Sequence, residues 1–178
     1  MNWAKETGEI RALKIDAGLM TARDLINFAQ PMMAKRFKDV GQIGPMYHAI
    51  TESGVHFVFP APFVRDKDTS VDMVRAFFRQ ERVVAYIFMD EAWALLGEGI
   101  TQEDIAFCNR EGVHAHPKRA EIITFIAEDD QCTITGYQRI IRPPKGKAKL
   151  GELTILPEDA EGYGRMVKLL PDLNAKPN

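Results

Sequence analysis

Val83-Val84-Ala85-Tyr86-Ile87-Phe88-Met89 is an unbroken apolar run set between Arg82 and Asp90. Side chains alternate across a strand, so a run apolar at every position is apolar on both faces. Seven residues suit a strand better than a buried helix, and valine, tyrosine, isoleucine and phenylalanine favour the pleated conformation. The run therefore reads as a central strand covered on both sides, and the fold is built outward from it.

Upstream, Val71, Val74, Phe77 and Phe78 recur at helical spacing, with Thr69 or Ser70 able to cap the start. Before that helix, Tyr47–Ile50 and Val55–Phe59 flank the polar turn Thr51-Glu52-Ser53-Gly54 and read as a hairpin stopped by Pro60 and Pro62. Thr21 and Asp24 form a capping-box pair ahead of Leu25, Phe28, Ala29, Met32 and Arg36. Pro31 lies inside that pattern and predicts a kink or two short helices. Residues 2–20 show no strong period and read as an irregular or short helical arm.

Downstream, Thr101 and Asp104 repeat the capping-box spacing and open a helix to about Asn109. Strands are expected at about 120–127, 132–142 and 148–156. The turns between them are Glu128-Asp129-Asp130 and Pro143-Pro144-Lys145-Gly146. A last helix is expected from Pro157 to Leu169 and a frayed tail over 173–178. Short polar turns between successive strands favour antiparallel pairing. The expected fold is one α+β domain over residues 1–178, two-layered, with a mainly antiparallel sheet of five or six strands and helices on one face.

The chain has 178 residues, a net charge of −2 and a pI near 6.1. It is long enough to bury a core without disulfides or metals. The overall charge lacks the basic signature of a protein that works by neutralising phosphates, so nucleic acid is not the expected main partner. Cys108 and Cys132 lie in apolar neighbourhoods and read as two buried thiols rather than one bridge. The N-terminal residues lack a secretory h-region, and Val83–Met89 is far shorter than a membrane span. A cytoplasmic protein without a membrane partner is the expectation.

Three groups of residues could carry chemistry. His114 and His116, two apart, would point the same way on a strand, and His48 and His56 flank the hairpin turn. If all four converged they could take zinc or another divalent metal, which wants three or four such donors. No other cofactor is called for. Glu91 falls on the Ile87–Met89 face if the strand continues, where a buried carboxylate could act as a general acid or base. Alternatively Asp90 caps a short helix, Glu91 to Leu96, closed by Gly97. Residues 138–149 carry five positive charges and no negative one. Arg142, Lys145, Lys147 and Lys149 could contact phosphate there, or simply guard the sheet edge. No aromatic is interleaved with Lys145–Lys149, so the loop itself has no base-stacking platform.

Walker A, Gly-x-Gly-x-x-Gly, Cys-x-x-Cys and Gly-x-Ser-x-Gly patterns are missing from the sequence. His114-Ala115-His116-Pro117 resembles the His-x-His-Pro element of the JAB/MPN metalloproteases, which implies a zinc hydrolase. That family has an apolar strand before the pair and a Ser, then an Asp, after it. Here Glu111-Gly112 precede the pair, the Ser is missing, and Asp129 and Asp130 come late. A broader resemblance rests on His116-Pro-Lys-Arg-Ala-Glu-Ile, Ala127-Glu-Asp-Asp, Ile141-Arg-Pro, Leu150-Gly-Glu-Leu and Gly164-Arg-Met-Val-Lys-Leu-Leu-Pro. These stretches of the C-terminal half are similar to a family of small uncharacterised proteobacterial proteins, which implies no activity and no site. The function these features point to is a non-catalytic binding or accessory module acting through a protein partner or self-association. The alternatives are a metal-dependent hydrolase with His114 and His116 as ligands and Glu91 as base, and a weak nucleic-acid binder using the 138–149 hairpin.

Overall fold

The structure, a computed structural model, describes residues 11–13, 19–62, 66–97, 99–157 and 167–172. Its elements are β1 (Arg11–Leu13), α1 (Ala22–Val40), β2 (Met46–Thr51), β3 (His56–Pro60), α2 (Lys67–Gln80), β4 (Val83–Leu95), α3 (Gln102–Glu111), a 3₁₀ turn (Val113–Ala115), β5 (Arg119–Glu128), β6 (Thr133–Ile141) and β7 (Lys149–Ile155). The strands of the described residues join one antiparallel sheet in the order β1-β3-β2-β4-β5-β6-β7. The α+β class and the antiparallel sheet stand as expected. Six strands have five residues or more, and the three-residue β1 extends the edge beyond β3. Arg11–Leu13 is therefore a strand, where an irregular or short helical arm was the expectation for residues 2–20. Residues 1–10 and 14–18 of that arm lie outside the described residues.

β4 is the spine, paired with β2 on one side and β5 on the other. Its Ala85, Ile87 and Met89 pack with Leu25, Ile26, Ala29, Met33 and Phe37 of α1. Its Tyr86 and Phe88 point the other way and pack with Val71, Val74 and Phe78 of α2. Helix α1 lies across β4 to β7, and α2 adds a second, smaller core over β2 and β4. The helices, expected on one face, are thus divided between the two, as a strand apolar on both sides requires.

α1 begins in the expected capping box, Thr21 with Asp24, and a turn between strands adds to it: the Ala22 amide donates to Asp129 Oδ2 at 2.7 Å. Pro31 does not divide the helix. Asn27, whose carbonyl loses its amide partner there, and Pro31 both lie on the exposed side, where water can take up that carbonyl. α2 is capped by Asp66, which accepts from the Thr69 amide at 3.0 Å, rather than by Thr69 or Ser70. β4 runs to Leu95, so the short helix from Glu91 to Leu96 does not form. Cys108 is half-buried and Cys132 exposed, both as thiols rather than disulfide partners; Cys132 was expected inside. Residues 158–166 of the expected last helix and the tail 173–178 lie outside the described residues. Val167 and Lys168 form a bend rather than a helical turn. Among the described residues no helix is long and apolar enough to cross a membrane.

Candidate functional site

The His114-x-His116 pair sits in a 3₁₀ turn and not on a strand, so the two-residue spacing no longer aligns the rings. His116 is buried at the turn's end. Its Nδ1 accepts the Lys118 amide at 3.1 Å, and its Nε2 lies 3.1 Å from Asp104 Oδ1. An acceptor Nδ1 leaves the proton on Nε2, which donates to Asp104. The Phe107 ring meets the imidazole edge-on at 5.1 Å. Asp104 also closes the α3 capping box and accepts from Lys118 Nζ at 3.0 Å. The Thr101 amide, then Lys118 and the Thr101 hydroxyl, hold its carboxyl well below the usual carboxylate range. His114, by contrast, is exposed. Both ring nitrogens of His116 are committed to the protein, and the pair presents no common ligand point.

His48 and His56 do meet. They lie on β2 and β3, diagonal to one another in the register, and His48 Nε2 is 3.0 Å from His56 Nδ1. The pair is fully buried beneath α1, with the Phe28 ring 5.6 Å from His48. Burial, and then the neighbouring His56, push His48 down to about 4; burial pushes His56 down as well. His56 Nε2 has no hydrogen-bond partner among the described residues. Among those residues no group of three or more His, Cys, Asp or Glu could hold a metal ion, so the four histidines do not form one site.

Glu91 stays in β4, on the α1 face, with both oxygens engaged. Oε1 accepts the Ile43 amide at 2.6 Å, and Oε2 lies 3.9 Å from the Arg142 guanidinium. Arg142 forks onto Glu121, with both bonds at 2.6 Å, and stands 6.0 Å from the Phe37 ring. Glu121, with smaller help from Glu91, raises the Arg142 guanidinium further. Glu91 thus ties the chain leaving α1 to the sheet, and Arg142 ties β6 to β5. Neither is poised as a general base or as an unengaged phosphate ligand.

The other basic residues tell a different story. Lys145, Lys147 and Lys149 are exposed and make no ion pair among the described residues. The sheet places them at the end where β4 finishes, β5 starts and β6 turns into β7. Trp93 stands at that same end, 44% exposed, and the Arg119 guanidinium lies over its ring at 4.9 Å. The opposite end of the sheet is acidic. Glu52, Glu128, Asp129, Asp130 and Asp172 line a cleft of about 690 Å³ there. Glu52 pairs with Arg82, Glu128 accepts from the Tyr86 hydroxyl and the Lys168 amide, and Asp129 accepts three backbone amides. The nine residues of β6 separate the two poles by about 30 Å. Exposed lysines thus gather at one end of the sheet and the carboxylates of the cleft at the other.

Sequence reasoning overlooked Trp93 and Arg119. They are 26 positions apart, and only the β4–β5 register, which sets Trp93 opposite Glu121, brings them together. The one available signal was a large aromatic on the continuation of β4 past its apolar run. No protein-family model matches the chain, and neither a curated protein nor a solved structure matches it.

Proposed function

We propose that the chain is a non-catalytic binding module that engages an anionic macromolecule through the basic, tryptophan-bearing end of its sheet. The observation that carries this reading is the exposed Trp93 with Arg119 stacked on it, beside the exposed Lys145, Lys147 and Lys149. Tryptophan and arginine are among the residues that contribute most where surfaces bind, tryptophan because its rigid ring buries a large area at small conformational cost. The Glu91–Arg142–Glu121 network beneath supports a rigid platform. Self-association through the β7 edge has less support. β7 is interrupted by a register shift opposite Gln138–Ile140, the Gly151 carbonyl accepts from Gln138 Nε2, and lysines flank the strand's start. Bulges and lysines are devices that keep an edge from pairing.

Immobilised heparin, a flexible polyanion, tests the reading. The protein should be retained at low ionic strength and elute as sodium chloride rises. A variant with Lys145→Glu, Lys147→Glu and Lys149→Glu should pass through with its fold intact. Wild-type protein that is not retained at low salt would overturn the proposal.

A further inference from the structure

We infer that the anionic macromolecule is single-stranded nucleic acid; the inference rests on the binding-module reading above. A polyanion without bases needs only cations. The end of this sheet offers something more, an indole exposed to solvent with a guanidinium over its ring. An aromatic face that stacks on bases, set beside cations that follow the phosphates, is what recognises single strands regardless of sequence. In a duplex the base faces are stacked on one another and cannot reach Trp93.

The layout lets both contacts form at once. Trp93 lies on β4, and Lys149 lies on β7, three strands away in the sheet order. At the usual strand spacing that is about 14 Å, so a strand crossing the sheet end would lay a base on Trp93 and carry its phosphates to the lysine turn. Lys145, Lys147 and Lys149 alternate with Gly146 and Ala148, small residues that do not obstruct a backbone. Arg119 adds its charge at the stacking point. Arg142, engaged by Glu121, holds the platform beneath.

The full chain carries two tryptophans, Trp3 and Trp93, so a Trp3→Phe background makes Trp93 the sole indole reporter. Titration with an oligothymidylate of about 15 nucleotides, within the span single-strand folds commonly cover, should quench its emission. A duplex of equal length and vesicles containing phosphatidylglycerol should leave the emission nearly unchanged. By anisotropy with labelled oligonucleotide, Trp93→Ala should weaken binding about tenfold. Trp93→Phe should keep most of the affinity, and Arg119→Gln should reduce it. Replacing Lys145, Lys147 and Lys149 with alanine should flatten the log–log salt dependence by about 2, since each phosphate neutralised on a single strand contributes roughly 0.7. Heparin retention with no preference for the single strand over the duplex, or with vesicles bound more tightly than either, would overturn this inference and leave the polyanion reading standing. Absence of both heparin and oligonucleotide binding would remove the two together. If Trp93→Ala fails to fold, unchanged affinity in both Arg119→Gln and the triple lysine variant would equally overturn it.

Discussion

Two histidine pairs in this chain share a residue type and a suggestive spacing, yet the fold treats them oppositely. His114 and His116, two positions apart, part company: one ring is in solvent, the other is locked between Asp104, Lys118 and Phe107. His48 and His56, eight apart, have ring nitrogens 3.0 Å from each other in the core. Closeness along the chain did not decide contact. The local conformation did in one case, a 3₁₀ turn in place of a strand, and the hairpin register did in the other. A pair of histidines is only as good a metal site as the backbone that aims it.

The largest effect expected from this contrast is acid sensitivity of the core pair. His48 and His56 have folded-state values below the ordinary imidazole value of 6.5, so the native state prefers them uncharged. Between pH 6.5 and about 4 the unfolded chain binds more protons than the native one, and stability must fall as pH falls. It is fully present above 6.5 and is lost on the way down to about 4, where His48 protonates within the fold. The His48 shift alone corresponds to about 3 kcal/mol. Urea unfolding at pH 7.5 and pH 4.5 measures it, and a His48→Gln/His56→Gln variant should show a much flatter dependence. Equal stability of the wild type at the two pH values would refute the buried, uncharged pair.

Next in size is the difference within the second pair. His116→Ala leaves a buried gap beside Phe107 and strips one partner from Asp104, which should cost about 2 kcal/mol. His114→Ala, at an exposed position, should stay within about 0.5 kcal/mol. Chemical denaturation of the two variants side by side reads the asymmetry directly. Similar losses in both, together with one zinc per chain that disappears in each variant, would instead restore the shared-ligand reading and the hydrolase with it.

The smallest effect lies in the turn that separates the rings. Gly112 has φ 85° and ψ 150°, a conformation that only glycine adopts readily, and a Cβ there would come 2.7 Å from His114 Nδ1. Gly112→Ala should cost about 1–2 kcal/mol. Adding His114→Ala should return the part due to the contact and leave the part due to the backbone. A double-mutant cycle with no coupling would mean that the imidazole swings away without cost.

Much of the architecture was legible because its causes are local. Thr21 with Asp24 and Thr101 with Asp104 cap their helices as the three-residue spacing predicts. The Thr51–Gly54 turn forms the hairpin, and the last three strands fall within one or two residues of where alternation put them. The readings that failed locally did so for identifiable reasons. Asp66, one turn of charge earlier than Thr69, offered the better acceptor for α2. Glu91 stays extended because β5 pairs with β4 to its end, which outweighs a short helix bracketed by Asp90 and Gly97. The candidate site was far less legible. Arg142 and the lysines of 145–149 look equivalent in the sequence, but Glu121 engages the first and leaves the others in water.

By itself, then, the sequence determined a strand at Val83–Met89 covered on both faces, helices with their caps, and antiparallel neighbours. Each follows from periods of 2 or 3.6 residues and from hydrogen bonds that span three. Tertiary structure alone decided that Asp129 caps a helix 107 positions earlier, that the Arg119 guanidinium lies over Trp93, and that the exposed lysines and the acidic cleft stand at opposite ends of one sheet. Those outcomes depend on strand order and register. Register is settled by the packing of whole faces across the sheet, where a slip of one residue would turn every side chain of a strand to the other side.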